Sequence, residues 1–327
     1  MQKPYLSQMF FNKGLVVSDG ASQIEKGILF YNAGVQSIRN CAYQAAFNHL
    51  VEASFVMYNN PLLWVRIAEC CIAYCQDNHD TNQTNRVKVY YGDNEEREMA
   101  VLLPTFATPV NSSLYYEKNT FVPVEDVFGF EMLTSKNVRQ DIGEISMGTA
   151  NVCLRNAMTL MMSSKNFHPL IEHILVKSAY VSLELCDPLS CLNDCKRLLS
   201  FSQCSQISRI AAICYGFEAL CALDQAQQCF HLVPTQEMQQ IFLDMKKSQI
   251  QEPLLSLHQS LLLNVAIVYI TQGQFKEAQE MINGVNSILS KQEKRPADIA
   301  HIMYLSQVYI LISVGDKKRA IEYILQK

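Results

Sequence analysis

Apolar and small residues recur through most of the chain at the spacing of packed helices. Phe30 and Gly34 lie one helical turn apart on the same face. Trp64 and Ala68 repeat the pair 34 residues later, the period of a tetratricopeptide helix–turn–helix unit. The aromatic packs on the first helix of such a unit, and the small residue lets the second helix approach closely. The second helix then carries a small residue, a large one four positions on, and another small one three further. Ala46, Leu50 and Ala53 fit this, and Pro61 opens the next unit. One unit cannot bury its apolar face alone, so neighbours must stack.

The pattern returns near the C-terminus. Leu262, Ala266 and Tyr269 precede Gly273, and Ala278, Ile282 and Val285 follow it. Tyr304, Val308 and Leu311 precede Gly315, with Ala320 and Ile324 after it. Two middle units are degenerate. One uses Leu175, Ala179 and Ser182, then Cys191, Cys195 and Leu198; the other uses Ala212, Gly216 and Ala219, with a short second helix ending near Pro234. The second unit is interrupted. The small residue expected at Asp80 arrives 70 residues late, at Ala150, followed by Leu154 and Ala157. Within this insertion Val87, Val89 and Tyr91 alternate with Lys88 and Tyr90 ahead of Gly92-Asp93-Asn94. That pattern predicts a small β-hairpin, Val87–Tyr91 against Met99–Leu103. The expected fold is an all-α tetratricopeptide-repeat solenoid of about six helix pairs with this one long insertion. Its expected divisions are an N-terminal remnant helix in 1–26, repeat 1 and the first helix of repeat 2 in 27–75, and the insertion in 76–145. Then come the second helix of repeat 2 and repeats 3–4 in 146–233, a linker in 234–253, and repeats 5–6 in 254–327.

First helices line the concave side of such a superhelix. The groove positions, one and four residues after each small slot, are Val35, Glu69, Tyr180, Phe217, Ile267 and Tyr309, and Ile38, Ile72, Leu183, Leu220, Ile270 and Ile312. Eleven of these twelve are apolar, which disfavours a groove for charged peptide tails. Either tight winding buries them, or a partner segment or the insertion fills the groove, since a large apolar surface does not stay bare. The stripe Tyr180, Leu183, Phe217, Leu220, Ile267 and Ile270 is the candidate partner-binding surface.

Composition narrows the chemistry. The chain of 327 residues has net charge −4 and 18% charged residues, which does not suit a broad nucleic-acid-binding face. No apolar stretch is long enough to cross a bilayer, and the start Met1-Gln2-Lys3-Pro4 lacks the apolar core of a signal peptide. The 12 cysteines then read as thiols of a reducing, intracellular setting. Cys70, Cys71 and Cys75 form no CxxC pair, and Cys186, Cys191 and Cys195, near His168 and His173, read as core fillers rather than ligands. His49 and Glu52, one turn apart, read as a solvated helix face rather than an acid–base pair. Asn32 and Asn264 read as structural rather than as peptide clamps, and the lone Trp64 as packed. No phosphate loop or nucleophile elbow stands out. The expectation is no enzyme, no metal and no cofactor.

Several segments together resemble a known family: LFYNAGVQ, QAAFNHLVEA, NNPLLWVRIAECCIA, NVCLRNA and SAYVSLEL. They resemble the tenth subunit of the CCR–NOT deadenylase complex, from about Leu29 onward. That family looks like a tetratricopeptide scaffold with a long insertion at the same place and further repeats before the region matched. This chain departs by lacking that N-terminal half, with Tyr5–Val17 as an expected remnant helix. The resemblance implies a non-catalytic scaffold that binds the eleventh subunit and the N-terminal region of the large NOT scaffold. It implies a part in mRNA poly(A) shortening, turnover and translational repression in cytoplasm and nucleus, with no membrane or direct nucleic-acid binding. The rivals are a general adaptor for chaperones or trafficking, and an RNA-binding module.

Overall fold

The structure, a computed structural model, describes residues 23–80, 88–90, 100–102, 142–161, 169–233, 241, 252–289 and 297–325. The helices are α1 (Gln23–Arg39), α2 (Tyr43–Met57), α3 (Pro61–Asp80), α4 (Met147–Met161), α5 (Pro169–Glu184), α6 (Pro188–Leu199), α7 (Gln206–Ala222), α8 (Glu252–Thr271), α9 (Phe275–Leu289), α10 (Ala297–Ser313) and α11 (Lys317–Leu325), with a 3₁₀ segment at Ala226–His231. Strands β1 (Lys88–Tyr90) and β2 (Ala100–Leu102) pair antiparallel with Val89 opposite Val101, inside the two spans expected for the hairpin. The all-α repeat architecture read from the sequence is therefore observed. The remnant helix expected at Tyr5–Val17 lies outside the described residues.

The repeat is written most plainly in its turns. Cys41, Cys186, Asp224, Gly273 and Gly315 all have positive φ, and they close α1, α5, α7, α8 and α10 in turn. At the first of these, the Cys41 N–H donates to Ile38 and the Ala42 N–H to Ser37, both at 2.9 Å. The same two bonds recur as Cys186 to Leu183 and Asp187 to Ser182, and as Asp224 to Cys221 and Gln225 to Leu220. They recur again as Gly273 to Ile270 and Gln274 to Tyr269, and as Gly315 to Ile312 and Asp316 to Leu311. This is a Schellman cap, which satisfies carbonyls that the helix end leaves open. Five residues past each cap stands a buried small side chain: Ala46, Cys191, Cys229, Ala278 and Ala320. The sixth cap is missing where the insertion enters. There α3 runs on to Asp80, and α4 begins afresh, with Ser146 Oγ accepting the Thr149 N–H at 3.1 Å.

The caps also correct one register. Seven residues before each cap stand Gly34, Ala179, Phe217, Ala266 and Val308. The sequence reading put Gly216 in this slot. The cap at Asp224 puts Phe217 there, a shift of about 100° around the helix. Phe217 consequently faces its own second segment. Its ring meets Phe230 edge-on at 6.1 Å, and its carbonyl accepts from the Cys229 thiol at 3.8 Å. Gly216 is still a point of close approach, because a Cβ there would sit 2.4 Å from Leu232 Cδ2.

The fold divides into two compact units, one containing α1–α5 and the other containing the hairpin and α6–α11. In the first, Trp64 is fully buried, and its indole N–H donates to the Tyr58 carbonyl at 2.7 Å. A Cβ on Gly34 would come 2.6 Å from Leu50 Cγ, so α1 and α2 touch at the expected slot. In the second, α8 and α9 enclose Leu262, Ala266, Ala278, Ile282 and Val285, with Met303 and Ile310 of α10 closing the core.

Candidate protein-binding surface

The twelve positions assigned to the groove from spacing divide sharply by exposure, although the corrected register puts Glu218 and Cys221, not Phe217 and Leu220, one and four residues after the fourth slot. Val35, Glu69, Ile72, Tyr180, Leu183, Phe217, Leu220 and Ile267 are buried, Ile38 and Ile270 are half-buried, and Tyr309 and Ile312 are 55% and 52% exposed. Of the candidate stripe, Tyr180 and Leu183 belong to the first unit and the other four to the second. Tyr180 is engaged within its own unit, its phenol oxygen accepting from Gln76 Nε2 at 3.1 Å. In the second unit the chain fills the space itself. Phe230 lies between Phe217 and Tyr269, 5.0 Å from the tyrosine ring, and Gln272 Nε2 donates to the Ala226 carbonyl at 3.1 Å. Among the described residues the filler is the short 3₁₀ segment.

The polar groove position of α3, Glu69, is the hub of a buried ion cluster. Arg66 Nη1 donates to Glu69 Oε2 at 2.7 Å, and His173 Nε2 and Lys177 Nζ lie 2.8 and 3.5 Å from Glu69 Oε1. Burial alone would raise the Glu69 pKa, but Arg66, Lys177 and His173 outweigh it and hold the carboxyl well below its usual range. Burial, followed by Lys177, pushes the His173 pKa down against the pull of Glu69. A neutral imidazole donating from Nε2 to the carboxylate fits this geometry. Tyr31 and Arg39 of α1 complete the set: burial raises the Tyr31 phenol, and burial with Arg66 lowers Arg39. The signal in the sequence was Glu69 itself, the lone acid among apolar groove positions. Its partners on α5, 104 and more residues away, carried none.

The exposed surface gathers at the last helix pair. On α11, Ile321, Ile324 and Leu325 are 56%, 46% and 78% exposed, and Lys317, Lys318 and Arg319 are exposed beside them. Ala320 is buried and marks the inner side. At 3.6 residues per turn, Lys317, Lys318, Ile321, Ile324 and Leu325 fall within about 120° of one another. Tyr323 lies on the opposite flank, stacked on Tyr304 with centroids 5.4 Å apart, as does Arg319, while Glu322 borders the arc about 40° past Lys318.

The remaining candidates are structural in placement. Cys191 and Cys195 are buried in α6 with sulfurs 3.9 Å apart, and Cys186 is exposed at its cap. Burial pushes the Cys71 thiol up to about 12 and raises Cys70, Cys153 and Cys214 as well, which keeps these thiols protonated and unreactive. Among the described residues no group of three or more His, Cys, Asp or Glu side chains is arranged to hold a metal. His173 is engaged with Glu69, and His168 lies outside the described residues. The His49 ring lies tilted against Phe30 with centroids 6.1 Å apart, while Glu52 is exposed. Asn264 is buried in contact with the Cys214 thiol, and Asn32 is half-buried. No helix among the described residues is long and apolar enough to cross a membrane.

Repeated caps, small slots and stacked helix pairs define an all-α tetratricopeptide-repeat protein. A family model for the CNOT10 tetratricopeptide repeat domain matches residues 170–252. CCR4-NOT transcription complex subunit 10-A of Xenopus laevis is 22% identical, over 90% of this chain and 46% of that protein. Subunit 10-B of the same organism is 23% identical with the same coverage. Subunit 10 of Danio rerio is 23% identical, over 90% of this chain and 56% of that protein. The chain spans about half the length of the curated relatives it matches. The resemblance to the tenth subunit of that complex, first read from five short segments, extends over nine-tenths of the chain.

Proposed function

We propose that this chain is a non-catalytic scaffold subunit of the CCR–NOT complex, binding other subunits through its repeats. The observation that carries the reading is its similarity to subunit 10 proteins over 90% of its length. The helix pairs add a physical reason: they present packing surface, and the buried charges are turned on one another. The expected partners are the eleventh subunit and the N-terminal region of the large NOT scaffold. Poly(A) shortening, mRNA turnover and translational repression, in cytoplasm and nucleus, are the processes it would serve. Affinity purification of the tagged chain followed by mass spectrometry tests this. Recovery of NOT-complex subunits is the expected result; recovery of chaperones alone, or RNA alone, would overturn it.

A further inference from the structure

We propose that Cys221 and Cys229 are a redox-active pair that closes a disulfide on oxidation by hydrogen peroxide and so fastens the 3₁₀ segment to α7. The backbone brings the two together. Cys221 stands in the last turn of α7, and Cys229 follows within the 3₁₀ segment. The cap reverses the chain between them, with the Asp224 N–H donating to Cys221 and the Gln225 N–H to Leu220. A further turn, from the Gln228 N–H to the Gln225 carbonyl at 2.8 Å, lays Cys229 back on the face that Phe217 and Cys221 share one helical turn apart. Cys229 Sγ lies 3.8 Å from the Phe217 carbonyl, the acceptor that an α-helix assigns to the Cys221 N–H. The two thiols are hydrogen-bonded to each other, and both are free and buried. Cys191 and Cys195 make the contrasting pair. Their sulfurs are 3.9 Å apart, but both sit on one helix, where Cβ atoms four residues apart stand about 5–6 Å from each other. A disulfide spans no more than about 4.5 Å between Cβ atoms.

The chemistry of the pair is unequal. Burial raises the pKa of Cys70, Cys71, Cys75, Cys153 and Cys214. Cys221 moves the other way, because the hydrogen bond from Cys229 outweighs burial. The thiolate is the reactive form, so Cys221 is the attacking sulfur and Cys229, fully buried, the resolving one. Cys221 Sγ attacks one peroxide oxygen and breaks the O–O bond, which leaves a sulfenic acid and releases water. Cys229 gives up its proton and attacks that sulfur, displacing hydroxide that leaves as the second water. The two sulfurs lose two electrons, and two thiols and one peroxide become one disulfide and two waters. The bond closes a nine-residue loop. Phe230, the next residue, sits between Phe217 and Tyr269, so oxidation fixes the side chain that joins α7 to α8.

The test treats the purified 327-residue chain with hydrogen peroxide near stoichiometry, blocks the remaining thiols with N-ethylmaleimide and maps them by peptide mass spectrometry. Thermal melting is followed in parallel. The expected result is a Cys221–Cys229 linked peptide that dithiothreitol reopens, formed at least about tenfold faster than Cys71 or Cys153 is lost. The oxidised chain should melt about 5 °C higher. Cys229→Ser should stop at the sulfenic acid on Cys221, captured by dimedone, and Cys221→Ser should leave Cys229 as inert as Cys71. Oxidation confined to the exposed Cys41 and Cys186, or a Cys191–Cys195 link in place of the expected one, would overturn the pair. Cys229 oxidised as fast in Cys221→Ser would remove Cys221 as the attacking sulfur, and a linked chain that melts lower would overturn the fastening. The wild-type map needs no substitution, so it decides even where a serine variant fails to fold.

Discussion

Glu69 of α3 and Ile267 of α8 stand at the same place in the repeat, one residue after the small slot, and both are buried. The isoleucine is satisfied by whatever apolar surface surrounds it. The carboxylate needs three donors, one on its own helix and two on α5. The repeat therefore dictates where a side chain goes but not what it costs to put it there. A buried ion cluster that loses one member strands the rest in a low dielectric, whereas an apolar set of similar volume loses little. Glu69→Ala should lower stability by about 3–5 kcal/mol, since Arg66 and Lys177 would remain without their carboxylate. Replacing the four groups of the ion cluster itself, Arg66→Met with Glu69→Leu, His173→Leu and Lys177→Met, should be near neutral or stabilising. Denaturant midpoints would measure both. A four-fold variant less stable than Glu69→Ala would show that the cluster contributes more than its own repair.

The first unit should also weaken in acid. Glu69 and His173 are both held below their ordinary pKa values in the fold, so at intermediate pH the unfolded chain binds more protons than the folded one. Stability then falls as pH falls. The loss begins below about 6.5, where an unfolded histidine starts to protonate, and deepens below about 4.5 as unfolded carboxylates follow. In the fold, a proton on His173 would add a cation beside Lys177. His49 is also lowered, by burial, and adds a share of the same sign. His173→Gln should flatten the thermal melting profile between about pH 6.5 and 5, leaving the His49 share. A slope unchanged by that substitution would remove His173 from the account.

Much of this architecture was legible in spacing. The Phe30/Gly34 and Trp64/Ala68 pairs set the period, and the GQFKEA and GDKKRA turns marked two caps outright because glycine announces positive φ. The other three caps were hidden, since Cys41, Cys186 and Asp224 adopt that conformation without advertising it. That is why unit four slipped by a residue: Gly216 looked like the small slot, and nothing local said that Asp224 was the cap. Surface exposure was the least legible property. Ile270 and Ile312 are the same residue type, each four residues after its slot, yet one is half-buried and the other exposed, because exposure depends on the packing of neighbouring helices and not on the local pattern.

Glycine substitutions sharpen the same contrast at smaller scale. Gly34→Ala drives a Cβ to 2.6 Å from Leu50 Cγ and 3.3 Å from the Ala46 carbonyl, a branch point and backbone that cannot swing aside. It should cost about 1–3 kcal/mol. Gly216→Ala meets the tip of Leu232, which can rotate away, so its cost should be well below that of Gly34→Ala. Equal shifts in urea midpoint would mean that α1 and α2 have more room than these distances allow.

The smallest effect expected lies in the caps and asks whether they are one structure repeated five times. At Gly273 an added Cβ would meet nothing within 4 Å, so Gly273→Ala isolates the backbone cost of positive φ, about 1 kcal/mol destabilising. The same holds for Gly315→Ala. Cys41 and Cys186 already carry that strain at φ 57° and 56°, so Cys41→Gly and Cys186→Gly relieve it. The gain is offset in part by the greater freedom of glycine in the unfolded chain, about 0.5–1 kcal/mol. Stabilisation of no more than about 1 kcal/mol should remain. The sign carries the argument: alanine at a glycine cap must destabilise where glycine at a cysteine cap does not. Urea titrations with unchanged slopes would read all four. If Cys41→Gly lowers the midpoint as far as Gly273→Ala does, the α1 cap is held by side-chain contacts of Cys41, and the five turns are not equivalent.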